Sequence, residues 1–336
     1  MVLDFSVLKN ILSQRKNIAI ISHTNPDGDS IGASLGLYHF LNTYGHKAEV
    51  VVPNEYPDFL AWMPGEENIM VCSKKKEKSR KILEEADIIF CLDHNAPSRT
   101  GEMDETFKKA KGIKIMIDHH VNPDLTAYDI TFSTTETSST SELIFDMMSE
   151  LNISLIDKTI SECIYVGIMT DTGSFSYSCN SEKTFRTVAE LFKNGIDGVK
   201  IHKLVYDTYS ESRLRLLGYC LSEKLVVLPE YHTAYIWLTK KELDRFNHKT
   251  GDTEGVVNYA LGIKGIRFAA LFTEKDNKVR ISFRSTDDFE ANTFARNHYE
   301  GGGHKNAAGG DSFIPMKDTL EKFEKLLSEY KDKLSG

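Results

Sequence analysis

Carboxylates and an imidazole follow the first strongly apolar run of the sequence. The run NIAIIS (17–22) leads into HTNPDGDS, which contains His23, Asp27 and Asp29. Two carboxylates one residue apart repel each other unless a positive charge lies between them. The spacing therefore indicates a cation site, although Asp-Gly-Asp is equally typical of a tight turn followed by a helix cap.

The same arrangement recurs further along the chain. Asp93 follows DIIFCL (87–92), and DHH (118–120) follows IKIMI (113–117). Asp171 lies in GIMTDTGSF, after an apolar segment with helical spacing. Taken singly, each feature is more often a loop acid, a hydrogen-bonded histidine or a turn residue than a metal ligand. Their repetition at segment ends favours one shared site.

Charge balance predicts the chemistry of that site. Four aspartates and two imidazoles have no matching cluster of lysines, whereas two divalent cations would neutralise four carboxylates. Mixed oxygen and imidazole ligands suit Mn²⁺, with Mg²⁺ as the alternative. Two such ions can generate hydroxide and stabilise both ends of an in-line displacement at phosphorus. The residues therefore predict metal-dependent phosphoester chemistry.

A parallel sheet would place these residues together. Four short, branched and nearly continuous apolar runs are typical of strands buried on both faces. They span residues 17–22, 48–52, 87–92 and 113–117. A helix between the first two runs is predicted to begin at Ser30 as its N-cap and to end at Gly45. Ligands of such sheets bind at the carboxyl ends of the strands.

The length and the changing pattern of the chain predict two domains. A chain of 336 residues exceeds the usual size of one core. We predict an α/β protein whose catalytic domain, residues 1–194, has a mostly parallel sheet flanked by helices. Residues 195–220 are expected to form a helical connector, because 207–219 carries mixed charge without a strand pattern. Residues 221–336, with alternating strand and helix patterns, are expected to form a smaller mixed α/β domain.

Composition excludes several classes of function. The five cysteines are scattered and include no C-x-x-C pair, which argues against a disulfide framework and a cysteine zinc site. The net charge is −8, and the sequence lacks the basic stripe expected of proteins that bind long nucleic acid. Without a signal-peptide pattern or an apolar run of membrane-spanning length, we expect a cytoplasmic protein with no membrane partner.

The motifs resemble those of the DHH phosphoesterases. HTNPDGDS, DHNAPSR, DHH and GIMTDTGSF correspond to the four motifs of that family, and RISFRS and GGGHKNAAGG resemble its DHH-associated domain. The two-domain layout is similar to the bacterial nanoRNase type. This resemblance implies an exoribonuclease that degrades short oligoribonucleotides and linear dinucleotides to mononucleotides. It also implies a phosphatase acting on 3′-phosphoadenosine 5′-phosphate (pAp).

The resemblance also implies which residues bind two divalent metal ions. One ion would be held by His23, Asp27 and Asp93. The other would be held by Asp29, Asp93, His119 and Asp171. Asp93 would then bridge the two ions, and a hydroxide between them would be the nucleophile.

Further residues acquire catalytic or substrate-binding roles from the same resemblance. Asp118 would orient the neighbouring histidines. His120 would contact the scissile phosphate or assist proton transfer, and Arg99 would contact the scissile phosphate. The second domain would bind one end of the substrate, because an arginine fork and glycine N–H groups both suit phosphate. The residues expected there are Arg284, Ser285, Gly301, Gly302, Gly303 and His304.

Alternative functions follow from the same motifs. A family II inorganic pyrophosphatase would share the first domain, but it would be expected to carry a lysine- and arginine-rich motif where this sequence has GGGH. A RecJ-like exonuclease would be larger and carry a basic track. A non-catalytic nucleotide or metal sensor would be expected to lack metal ligands. We expect short oligoribonucleotides and pAp-like nucleotides as partners and no long duplex, and a homodimer stays an open alternative.

Overall fold

The computed structural model describes residues 3–177, 179–249 and 251–335. The chain divides into two compact units between Thr208 and Tyr209. The larger unit precedes this division and the smaller one follows it. Each contains its own sheet and its own hydrophobic core.

In the described residues of the first unit, the chain forms six parallel strands and eight α-helices. The strands are β1 (Asn17–Ile21), β2 (Lys47–Val52), β3 (Met70–Val71), β4 (Ile88–Leu92), β5 (Ile113–Asp118) and β6 (Ile130–Ser133). The helices are α1 (Ser6–Ile11), α2 (Gly28–Tyr44), α3 (Lys76–Glu85), α4 (Asp104–Lys109), α5 (Thr140–Asn152), α6 (Lys158–Asp171), α7 (Glu182–Lys193) and α8 (Gly198–Tyr206).

The order of strands in this sheet creates a crevice at the carboxyl ends of the central strands. The order is β3-β2-β1-β4-β5-β6, and all neighbouring pairs are parallel. Between β1 and β4 the direction of chain progression reverses, so the connections after these two strands diverge. A crevice at such a switch point is the usual ligand site of an open α/β sheet.

The start of α2 differs from the prediction. The side chain of Asp27 accepts hydrogen bonds from the backbone N–H groups of Asp29 (3.1 Å) and Ser30 (3.0 Å), which makes Asp27 the N-cap. Ser30 therefore lies inside the helix, and the predicted cap at Ser30 is wrong. Both residue types are good caps, and the first one along the chain forms the cap here. Gly45, with φ of 108°, ends the helix as predicted.

Over residues 209–249 and 251–335, the second unit forms a mixed sheet and six α-helices. Its strands are β7 (Leu225–Leu228), β8 (Thr233–Leu238), β9 (Phe268–Glu274), β10 (Val279–Ser285), β11 (Gly302–His304) and β12 (Ala307–Ser312). Its helices are α9 (Glu211–Glu223), α10 (Lys240–Arg245), α11 (Val256–Leu261), α12 (Ala291–His298), α13 (Met316–Glu329) and α14 (Lys331–Ser335).

The second sheet has the order β11-β12-β10-β9-β8-β7. β8 and β9 pair in parallel, and the other pairs among these strands are antiparallel. One face packs on an aromatic cluster that includes Phe268, Phe283 and Phe323, all fully buried. The predicted class, a mostly parallel first sheet followed by a smaller mixed α/β domain, is confirmed.

The predicted connector, residues 195–220, includes α8 and most of α9, one on either side of the division between the units. All five cysteines are buried and unpaired. Among the residues that the structure describes, no helix combines the length and hydrophobicity needed to cross a bilayer.

Candidate metal centre

The carboxyl ends of the central strands bring the predicted ligands to one edge of the first sheet. His23 lies two residues beyond β1, Asp93 lies directly after β4, and Asp118 is the last residue of β5. β4 pairs with both β1 and β5, so these ends are adjacent. Asp93 adopts a left-handed backbone conformation, with φ of 60°, which aspartate tolerates better than most residues. The chain therefore turns sharply at the centre of the site.

Three predicted ligands form a first group on the β1 side. His23 Nε2 lies 3.2 Å from Asp93 Oδ2 and 3.8 Å from Asp27 Oδ2. His23 and Asp93 are buried, whereas the side chain of Asp27 is 48% exposed. One ligand atom from each of the three residues lies within 4.8 Å of the others. We name this set the His23 group.

Three other predicted ligands form a second group, which we name the His119 group. His119 Nε2 lies 3.8 Å from Asp29 Oδ2 and 3.5 Å from Asp171 Oδ2. Asp29 is in the first turn of α2, and Asp171 is the last residue of α6. The close packing of α2 against α6 therefore determines the distance between these two carboxylates.

Asp93, a member of the His23 group, also faces the His119 group. Its Oδ2 atom contacts His23, while its Oδ1 atom lies 3.5 Å from His119 Nε2. The two oxygens of one carboxylate thus point to different groups. The structure brings together all six residues predicted as ligands.

The electrostatics of the site follow from burial and like charge. Burial and the charges of Asp93 and Asp171 raise the pKa of Asp29 well above its ordinary value. Burial also acts to raise the pKa of Asp93, but hydrogen bonds from His119 and His23 outweigh it and hold that pKa well below its ordinary value. Neighbouring carboxylates that differ in this way share protons instead of ionising together. A divalent cation would allow both to be ionised.

The pKa of His119 also reflects the negative charge of the neighbouring carboxylates. Burial lowers the pKa of His119, but the charges of Asp171, Asp93 and Asp29 outweigh it and raise that pKa to about 10. The negative charge at this edge therefore attracts positive charge strongly. Any cation bound there would compete with the proton on His119.

The chemistry of the donor atoms fits a divalent metal. His23 Nδ1 lies 2.9 Å from the carbonyl oxygen of Thr24, so Nδ1–H is the donor and Nε2 is left to face the carboxylates. This second hydrogen bond is the usual way in which a protein fixes the tautomer of a metal-binding histidine. Carboxylate and imidazole ligands without thiolates suit Mn²⁺ or Mg²⁺ better than a thiolate-preferring ion.

His120 and Asp118 form a buried pair beside the two groups. His120 Nδ1 lies 2.7 Å from Asp118 Oδ1, and the backbone N–H of His120 donates to Asp118 Oδ2 at 3.0 Å. Asp118 therefore fixes both the position and the ring orientation of His120. The same ring nitrogen is 3.7 Å from Asp93 Oδ1, so the pair adjoins the shared carboxylate.

Arg99 lies in a short 3-10 segment, Pro97–Met103, after β4. Its carbonyl oxygen accepts a hydrogen bond from the backbone N–H of Thr24 at 2.7 Å, which ties this segment to the loop after β1. The positive charge of Arg99 is close enough to His23 to act against protonation of that imidazole. The structure thus places Arg99 at the edge of the His23 group.

The residues predicted to bind substrate in the second unit lie on neighbouring strands. Arg284 on β10 and His304 on β11 both pair with Ala307 on the intervening strand β12. Residues directly opposite each other in antiparallel strands project from the same face. Arg284 and His304 therefore share one face of the sheet. Ser285 differs, because its buried hydroxyl donates to the carbonyl oxygen of Phe289 at 2.6 Å.

Packing against β12 requires two of the three predicted glycines. A Cβ atom on Gly301 would lie 2.2 Å from the carbonyl oxygen of Gly309. Gly303 has φ of 134°, and a Cβ atom there would lie 2.6 Å from the carbonyl oxygen of Ala307. Gly302 has open space around it. Glycine at 301 and 303 therefore has a structural reason, which adds to the phosphate-binding role expected from the sequence.

Sequence reasoning did not identify the first turn of α5 as part of the site. Both oxygens of Asp29 accept hydrogen bonds from this turn, from the backbone N–H groups of Thr140 (2.7 Å) and Ser141 (2.9 Å). The residues SSTSE (138–142) signal a helix start through a serine followed three residues later by a glutamate. That pattern predicts a cap, but it carries no information on what the helix start contacts.

Known proteins match the chain over nearly its whole length. Residues 17–168 match the DHH family, N-terminal domain, and residues 230–336 match the DHHA1 domain. A protein of Streptococcus mutans, named probable bifunctional oligoribonuclease and PAP phosphatase NrnA, is 28% identical over 96% of this chain and 99% of its own length. The bifunctional oligoribonuclease and PAP phosphatase NrnA of Bacillus subtilis is 28% identical over 90% of this chain and 91% of its own length.

A solved structure agrees with both assignments. The exopolyphosphatase-related protein from Bacteroides fragilis superposes with a TM-score of 0.94 and is 43% identical, covering 99% of this chain and 97% of its own. The DHH match contains the first three sequence motifs of the first unit, and the DHHA1 match contains the GGGH motif of the second. The chain therefore belongs to the DHH family of phosphoesterases and combines a DHH domain with a DHHA1 domain.

Proposed function

We propose that this protein is a metal-dependent phosphoesterase that degrades short oligoribonucleotides to mononucleotides and removes the 3′-phosphate of pAp. The observation that carries the proposal is the position of Asp93, which has one carboxylate oxygen beside His23 and the other beside His119. A carboxylate shared in this way suits two cations, and paired cations suit hydrolysis at phosphorus.

We further propose that the ions are Mn²⁺. The His23 group would hold one ion, the His119 group would hold the other, and Asp93 would contribute to both. Divalent ions at such sites lower the pKa of water toward neutrality and offset negative charge on phosphoryl oxygens. The mixture of imidazole and carboxylate donors favours Mn²⁺ over Mg²⁺, which prefers oxygen ligands and retains more water.

The residues beside the ligands would position the phosphate and move protons. Asp118 accepts the Nδ1–H of His120, which leaves Nε2 as the atom of this ring that takes up or releases a proton. A histidine held in one orientation suits proton transfer to a leaving oxygen. Arg99 would neutralise a phosphate oxygen near the His23 group. Arg284 and His304, which share one sheet face, would bind another phosphate of the substrate.

The relatives support the proposed substrates. The proteins of S. mutans and B. subtilis are named for action on oligoribonucleotides and PAP, and this chain spans nearly all of their length. The B. fragilis protein is described as exopolyphosphatase-related, so inorganic polyphosphate is the second candidate substrate. A cytoplasmic location and a homodimer stay predictions from the sequence.

The test is a direct comparison of substrates with the purified full chain. RNA dinucleotides to pentanucleotides with a 5′ label, pAp, pyrophosphate and polyphosphate are incubated with Mn²⁺, Mg²⁺ or EDTA. Asp93→Ala removes the shared carboxylate. Asp87→Asn is the matched control, because Asp87 lies at the opposite end of β4, where it accepts a hydrogen bond from the backbone N–H of Asn17.

We expect Mn²⁺-dependent release of mononucleotides from the RNA substrates and of phosphate from pAp. Both activities should be lost in EDTA and in Asp93→Ala and retained in Asp87→Asn. Hydrolysis of polyphosphate or pyrophosphate without hydrolysis of any nucleotide would contradict the proposed substrate class. Absence of hydrolysis on every substrate with saturating Mn²⁺ would favour the nucleotide or metal sensor.

A further inference from the structure

The first turn of α5 holds Asp29 with two backbone donors. The N–H groups of Thr140 and Ser141 donate to Asp29 Oδ2 and Oδ1 at 2.7 and 2.9 Å. Each carboxylate oxygen therefore has its own donor, at the positive end of a helix dipole. Asp29 is 1% exposed, so these bonds form out of contact with water. This carboxylate belongs to the His119 group.

Thr140 also contacts the shared carboxylate. Its hydroxyl Oγ1 donates to Asp93 Oδ1 at 3.0 Å, the oxygen that faces His119. The other oxygen, Oδ2, contacts His23. Rotation of the Asp93 carboxylate would break the bond to Thr140. The threonine hydroxyl therefore holds the carboxylate in the orientation that directs its two oxygens to different groups.

A buried network fixes the turn that carries Thr140. The Ser139 hydroxyl caps α5 by accepting the backbone N–H of Glu142 at 3.1 Å. Glu142 Oε2 accepts hydrogen bonds from the backbone N–H and hydroxyl of Ser138 at 3.0 and 2.5 Å, and from the hydroxyl of Thr184 at 2.9 Å. All of these residues are buried. The turn is thus set by interactions that do not involve the candidate ligands.

We infer that Thr140 is a positioning residue that sets the spacing between the two groups, through its N–H on Asp29 and its hydroxyl on Asp93. The inference rests on the proposed metal centre. Residues that orient metal ligands commonly contribute tenfold to a hundredfold to metal affinity. Thr140 differs from an ordinary orienting residue, because it contacts a carboxylate of the His119 group, Asp29, and a carboxylate of the His23 group, Asp93. Its hydroxyl contacts the Asp93 oxygen that faces His119. Loss of the hydroxyl should therefore weaken binding of the ion at the His119 group, here called the second ion, more than binding of the ion at the His23 group.

The test measures Mn²⁺ binding to the full chain in the absence of substrate. Thr140→Val removes the hydroxyl while nearly preserving shape, and Thr140→Ser restores it. Thr319→Val is the matched control, because Thr319 is a fully buried threonine in the second unit whose hydroxyl also forms hydrogen bonds. Calorimetric titration with Mn²⁺ gives the number and affinity of bound ions. Low-temperature electron paramagnetic resonance distinguishes a coupled Mn²⁺ pair from isolated ions.

Wild-type protein and Thr319→Val should bind two coupled Mn²⁺ ions. Thr140→Val should bind one ion normally and the second about tenfold to a hundredfold more weakly, with loss of the coupled spectrum. Thr140→Ser should recover most of the affinity. Circular dichroism in EDTA checks folding, and Thr140→Ala replaces the valine variant if valine prevents folding.

Two outcomes would overturn the inference. Thr140→Val with two coupled ions of normal affinity would show that the hydroxyl is unnecessary. Equal losses in Thr140→Ser and Thr140→Val would show that the hydroxyl is not what matters at this position. Absence of Mn²⁺ binding by the wild-type protein would instead contradict the proposed metal centre, so the two failures are distinguishable.

Discussion

Replacing Gly32 with alanine tests whether close packing of α2 against α6 sets the geometry of the candidate metal centre. A Cβ atom at position 32 would lie 2.6 Å from the carbonyl oxygen of Cys163, 2.9 Å from the nitrogen of Gly167 and 3.1 Å from its Cα. All three atoms belong to the backbone of α6, so no side-chain rotation can relieve the contact. The two helices have to move apart.

The size of the movement follows from these distances. Ordinary van der Waals contact begins at 3.4 Å, so the 2.6 Å approach has to widen by about 0.8 Å. α2 carries Asp29 and α6 ends at Asp171, and both belong to the His119 group. Misplacement of catalytic groups by about 1 Å can reduce a rate by about a hundredfold. We expect a loss of that order in kcat, with weaker binding of one Mn²⁺ ion.

The effect on the free energy of unfolding is the sum of two terms of opposite sign. Overpacking a buried contact costs about 1–3 kcal/mol, while alanine in place of glycine inside a helix contributes about 1 kcal/mol. The free energy of unfolding should therefore fall by about 0–2 kcal/mol. Gly218→Ala in α9 is the matched control, because a Cβ atom there meets no atom within 4 Å. That variant should be slightly stabilised and fully active.

Three measurements check the prediction, namely urea unfolding, calorimetric titration with Mn²⁺ and initial rates on an RNA dinucleotide. A Gly32→Ala protein that binds two Mn²⁺ ions normally and retains the wild-type rate would refute the reasoning. It would mean that the separation of α2 and α6 does not control the candidate ligands. Because Mn²⁺ binding is measured without substrate, the binding part of this result would stand whichever phosphoester the protein hydrolyses.

Two further predictions concern the second unit. Burial acts to raise the pKa of Glu242, but hydrogen bonds from Tyr219 and Lys224 help to outweigh it and lower the pKa from 4.5 to about 2. The stabilising effect of the ionised Glu242 carboxylate is therefore present above pH 4.5 and lost toward pH 2. Over this range the free energy of unfolding of the wild-type protein should fall by about 3 kcal/mol more than that of Glu242→Gln. Urea unfolding at each pH measures both values, and equal losses in the two proteins would contradict the assignment. Arg284→Lys should raise KM for short RNA about tenfold with little change in kcat, since it removes one charge-assisted hydrogen bond. Arg280→Lys on the same strand is the control, and equal KM values in all three proteins would exclude the phosphate role.

Much of the candidate centre was predictable from local pattern. Apolar runs identify strands, and residues directly after parallel strands share one sheet edge, so His23, Asp93 and His119 could be expected to meet. Asp171 was less predictable from local pattern, because nothing in a helical segment indicates which sheet edge its end will reach. The sequence predicts Ser30 as the cap of α2 where the structure has Asp27, because residue type alone does not distinguish between two good caps three residues apart.

The sequence by itself determined the two-domain α/β class, the chemical character of the candidate ligands and the family, because these depend on residue types and on spacing along the chain. Tertiary structure alone decided that Thr140 contacts both Asp29 and Asp93, which precede it by 111 and 47 residues. It also decided that Arg284 and His304 lie on the same face of the second sheet, because both pair with Ala307. Helix packing and strand register are set by the whole core, so no local stretch of sequence encodes them.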